Sequence, residues 1–133
     1  MEYKFTNFLG EQQTVHLVLH PITKYDVLFH VTLKTNRENI EKNGILLNQE
    51  PYKSLSKTGM TYYSYPVDMN TSDCFRWSDE YYSLVVLDAK KLKEDGVLFY
   101  DDPFSQNDKS SKRNHLCCAQ NIDNKYIKQI IEF

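Results

Sequence analysis

Glycine is scarce in this chain, with four residues in 133 and no glycine-rich cluster. Neither the Gly-x-Gly-x-x-Gly dinucleotide fingerprint nor a P-loop occurs, which excludes the two commonest phosphate-cradling loops. Cysteine is also sparse. Cys74, Cys117 and Cys118 are odd in number and irregular in spacing, which argues against a disulfide framework and for a reducing compartment. No apolar run is long enough to span a bilayer, and no N-terminal segment joins basic residues to an apolar stretch. A soluble cytoplasmic protein without a membrane partner is therefore expected. Charge of one sign is lacking too: the formal net charge is −2, so there is no general basic footprint for nucleic acid. Such a partner would need a local patch. The best candidate runs from Lys109 to Arg113 (KSSKR), although a solvated loop is the blander and favoured reading of the same residues.

What remains is an ordinary globular composition enriched in aromatics, with ten tyrosines and seven phenylalanines. A tyrosine can pack its ring while its hydroxyl bonds at a wet cleft. The length fits one domain over residues 1–133. In the stretch VLFHVTLKTNRENIEKNGILL, Val27, Phe29, Val31 and Leu33 alternate with Leu28, His30 and Thr32, which predicts a strand with two distinct faces. Thr35 and Glu38 have capping-box spacing for a helix over Thr35–Asn43, and Asn43-Gly44 supplies its stop. Further strands are expected near Val15–Leu19, over Thr61–Tyr65, Leu84–Leu87, Val97–Tyr100 and Leu116–Ala119, and over Lys125–Phe133, where a helix is also open. Short helices are expected within residues 70–80 and over Ala89–Asp95, the latter stopped by Gly96. Residues 48–60 and 101–114 read as loops. Many short strands with few helices predict an α+β domain around a split or curved sheet.

The strand with His-x-Thr at His30 and Thr32, followed by a short helix ending in Asn43-Gly44-Ile45, resembles the first motif of the ADP-ribosyltransferase-like superfamily. The branch holding DarT toxins and RNA 2'-phosphotransferases is the most similar. Thr61-Tyr62-Tyr63-Ser64 resembles its second motif, with Tyr62 and Ser64 in register and Tyr63 one residue off. SLVVLDAKKLKEDGVLFYDD and NIDNKYIKQIIEF resemble its later segments. The likeness covers residues 27–133 and leaves 1–26 as an unassigned N-terminal strand or extension.

The resemblance implies a cleft between two small sheets that binds NAD as a substrate. It implies that His30, beside Thr32, bonds the ribose and diphosphate, and that the Tyr62 ring, with Ser64 nearby, stacks on nicotinamide. It further implies transfer of ADP-ribose to DNA, RNA or protein. At the third motif, where the family carries a glutamate, this chain has His115 after Arg113. A histidine can serve as base or hydrogen-bond partner but supplies no negative charge beside a developing oxocarbenium ion. Arg113 suits a phosphate through its planar fork. Three functions stay open: a transferase using His115, a phosphotransferase-like enzyme, and a non-catalytic binding or inhibitory protein of phage or mobile-element, toxin-like type. A carboxylate from elsewhere, Glu80 or Glu132, is a further possibility. Zinc held by His115, Cys117, Cys118 and Cys74 matches no common module, and a Cys74 nucleophile paired with His30 or His115 lacks a local signature. Asp101-Asp102-Pro103 reads first as turn chemistry.

Overall fold

A computed structural model describes residues 1–6, 9–22, 26–47, 60–65, 82–103 and 115–132, with the backbone alone at Tyr82 and His115. The expected helix in 70–80, most of both expected loops, Cys74, Glu80 and Arg113 lie outside these residues. Two sheets form among the described residues. A hairpin pairs β1 (Glu2–Thr6) with β2 (Gln12–His16), and six strands form the main sheet. These are β3 (Val27–Leu33), β4 (Thr61–Ser64), β5 (Tyr82–Asp88), β6 (Tyr100–Asp101), β7 (His115–Cys118) and β8 (Ile127–Glu132). Their order is β6-β7-β4-β3-β5-β8, and every pairing is antiparallel. Among the described residues two short α-helices accompany them, α1 (Arg37–Asn43) and α2 (Ala89–Glu94). The architecture is a small α+β fold.

β3 has the expected bounds, but its buried side is the one carrying polar groups. Leu28, His30 and Thr32 are buried, whereas Val27, Phe29, Val31 and Leu33 are half-buried. The reason lies in what packs on each side. The face bearing Leu28 joins Ile40 of α1, Ala89 and Leu92 of α2, and Ile45, Ile122 and Tyr126 in the main core. Burying each large aliphatic side chain there contributes about 1.5–3 kcal/mol. Polar residues are tolerated on that side because they find partners. Asn36 Nδ2 donates to Thr32 Oγ1 at 3.2 Å, and Ser83 donates to Glu132 at 2.7 Å.

The capping box does not form. Lys34–Asn36 make a 3-10 turn, and Asn36 caps α1 without a side-chain cap bond. Its amide is diverted to Thr32, and an asparagine ladder continues along the helix through Asn39 and Asn43. The helix stop does form. Gly44 has φ +79°, and its N–H donates to Ile40 O at 2.8 Å. A Cβ at Gly44 would stand 2.0 Å from the Ile122 carbonyl oxygen, so the close approach of two backbones needs glycine here.

The strand expected over Val97–Tyr100 shrinks to Tyr100–Asp101. Val97 N–H bonds back to Leu92 O, and the Phe99 carbonyl accepts from His20 instead of a strand partner. The end of the chain is a strand, β8, preceded by a 3-10 turn at Asn124–Tyr126. Residues 1–22 provide the hairpin and an edge segment, in which Leu19 bridges Tyr100. Tyr3 and Val15 of the hairpin pack against a second small core of Leu17, Met60, Tyr100 and Cys117.

Candidate functional site

The main sheet is divided between β3 and β4. β5 ladders along all seven residues of β3, and β7 along all four of β4, yet among the described residues β3 and β4 share the single registered pair Phe29–Ser64. Where the ladder lapses, a side chain takes its place. His30 Nδ1 lies 2.7 Å from the Tyr62 carbonyl oxygen. A carbonyl only accepts, so Nδ1 carries the proton in this bond. His30 is 3% exposed.

This register decides which tyrosine faces the imidazole. With Phe29 opposite Ser64, His30 stands opposite Tyr63, and their ring centroids are 5.1 Å apart. Tyr63 in turn meets Phe99 edge-on at 5.1 Å, and its hydroxyl bonds Thr61 Oγ1 at 2.9 Å. Tyr62 points the other way and packs against the second core beside Cys117. Thus His30 and the Tyr62 ring sit on opposite sides of the sheet, and the shared hollow expected from the sequence is not formed by that pair. Only the Tyr62 main chain reaches His30. Tyr63 is the residue that sequence reasoning placed one position off, because adjacent tyrosines leave a period-2 pattern without a register.

Thr32 is on the His30 side, fully buried, and engaged by Asn36. Ser64 is buried, and on the other strand its partner is His115. The backbone therefore brings the three motif segments onto adjacent strands, β3, β4 and β7. Arg113 lies outside the described residues.

The neighbouring thiols are not reactive groups. Burial, then the nearby carboxylate of Asp102, Cys118 and Asp101, push the Cys117 thiol up to about 12. Burial pushes Cys118 up to about 11 against a lowering bond from the Gln120 backbone. Nucleophilic or metal-binding cysteine needs the thiolate, which both sites disfavour. They also diverge, with Cys117 in the second core and Cys118 in the main one. Among the described residues, no three His, Cys, Asp or Glu side chains are placed to hold a metal ion. Glu132 is committed elsewhere. It accepts from Ser83 and from Arg37 Nη1 at 2.6 Å, and the Ser83 bond is the largest influence holding its carboxyl below the usual range.

No helix among the described residues is long and apolar enough to cross a membrane. In comparisons with known proteins, no family model matches this chain and no curated protein matches it.

Proposed function

We propose that this protein is an ADP-ribosyltransferase-like domain that binds NAD at the β3–β4 division. The observation that supports the reading is the division itself, with a buried histidine of the His-x-Thr motif lying across it. In this proposal His30, held in place by its bond to the Tyr62 carbonyl, orients the ribose and diphosphate side of the cofactor. Tyr63 is the aromatic partner beside it, in place of Tyr62. His115 and Arg113 remain the proposed third-motif groups. Without a carboxylate there, transfer of ADP-ribose to a DNA, RNA or protein acceptor would be slow. A non-catalytic binding protein is the second reading, and the enclosure of Tyr63, 1% exposed, favours it.

Titration with NAD tests the binding step. At a hundredfold excess over Kd the folded state gains about 2.7 kcal/mol, read as a rise in Tm of several degrees. His30→Ala is expected to remove that rise while the variant still melts cooperatively. An unchanged rise would reassign His30 to packing alone. Nicotinamide release with DNA, RNA or protein added separates transferase from binder. No release and no thermal shift would end both readings.

A further inference from the structure

Between the β6 edge of the sheet and the end of β4 three side chains form a continuous hydrogen-bonded chain. Asp101 Oδ1 lies 2.7 Å from His20 Nδ1, and His20 Nε2 lies 2.7 Å from the Tyr65 hydroxyl. Proton placement follows from the ends. An ionised carboxylate only accepts, so Nδ1 carries hydrogen toward Asp101. With hydrogen on Nδ1 alone, Nε2 accepts from the Tyr65 O–H. The backbone fixes this alignment on both sides. His20 N–H donates to Phe99 O at 2.8 Å, Asp101 N–H donates to Val18 O at 2.9 Å, and Leu19 bridges Tyr100 between them. The relay opens to solvent through His20 and Asp101, whose side chains are 25% and 37% exposed. Tyr65 itself is buried, with its ring 5.6 Å from the imidazole.

We propose that Asp101, His20 and Tyr65 form a reactive centre separate from the β3–β4 division, in which Tyr65 Oη accepts an acyl group from an activated ester. The pattern is that of an activated nucleophile: hydroxyl to base, base to orienting carboxylate, each within hydrogen-bond reach. In the step, Tyr65 Oη forms a bond to the carbonyl carbon and the ester C–O bond breaks. The phenol proton passes to His20 Nε2, and the alcohol or phenolate departs. Asp101 stabilises the imidazolium that results. Charge selects the electrophile. The Asp101 carboxylate belongs to the relay, so an anionic phosphoryl donor is opposed while a neutral carbonyl is not.

p-Nitrophenyl acetate is the probe, with peptide mass mapping of the ten tyrosines. Tyr65 is expected to be acetylated ahead of the others in the native protein, with a matching burst of p-nitrophenolate. Tyr65→Phe should remove the burst, and Asp101→Asn should slow it by roughly 100-fold, the range of positioned general-base catalysis. His20→Gln should abolish the preference for Tyr65. Acetylation spread evenly over exposed tyrosines, or a Tyr65 rate unchanged in Asp101→Asn, would overturn the proposal and leave the chain as a structural brace. If His20→Gln does not fold, the native labelling pattern and Asp101→Asn still decide.

Discussion

Gly44 and Gly96 have nearly the same positive φ, yet they answer different demands. At Gly96 an added Cβ meets nothing within 4 Å, so Gly96→Ala carries only the left-handed backbone penalty, about 1–2 kcal/mol. At Gly44 the same change also drives a methyl group into the Ile122 carbonyl and Asn124 N. Gly44→Ala is therefore expected to lose more, about 3 kcal/mol or above, in urea denaturation. Equal losses would mean that the α1 end and the Ile122 segment separate at little expense. His30 is a second case where one residue does two jobs. His30→Ala empties a buried site and removes the partner of the Tyr62 carbonyl, for about 2–4 kcal/mol. Its stability loss must be measured beside its effect on NAD.

Several element ends were legible in the sequence from local backbone chemistry, although the start of α1 was not, because Asn36 stands at its cap in place of Thr35. The bounds of β3, the Asn43-Gly44 stop and the Gly96 stop after α2 all follow from residues within one turn of the feature. The side of β3 that is buried was not legible, because alternation gives two faces and the packing of α1, α2 and the Ile122 segment chooses between them. The choice of Tyr63 over Tyr62 depends on a single pair, Phe29–Ser64, made between distant strands. The His20–Tyr65 and His20–Asp101 contacts span 45 and 81 residues and carry no spacing signal at all. Helix α2 offers a test at this scale. Asp88 caps it by accepting from Lys91 N–H at 3.1 Å. Asp88→Ala should destabilise by about 1 kcal/mol in thermal melts, and Asp88→Asn by much less.

For the whole molecule, the buried thiols set the alkaline limit. Their folded values, about 12 for Cys117 and about 11 for Cys118, lie above the ordinary thiol value near 9. The unfolded chain therefore loses those protons first as pH rises. Stability is fully present below pH 9 and falls as the pH climbs from there toward the folded values, by about 1.4 kcal/mol per unit for each thiol. Denaturant titrations between pH 8 and 10.5 should show this decline, and Cys118→Ala should make it shallower. A flat profile in the native sequence would mean that both thiols are better hydrated than their enclosure implies.

The placement of Cys117 and Cys118 in different cores has a practical consequence. Adjacent in the chain, they keep time on separate events. The N-terminal hairpin adds Tyr3 and Val15 to the packing around the first, whereas the second sits in the core that both helices cover. A maleimide added to the folded protein would then mark one sulfur long before its neighbour, and the interval between the two would measure how independently the hairpin breathes.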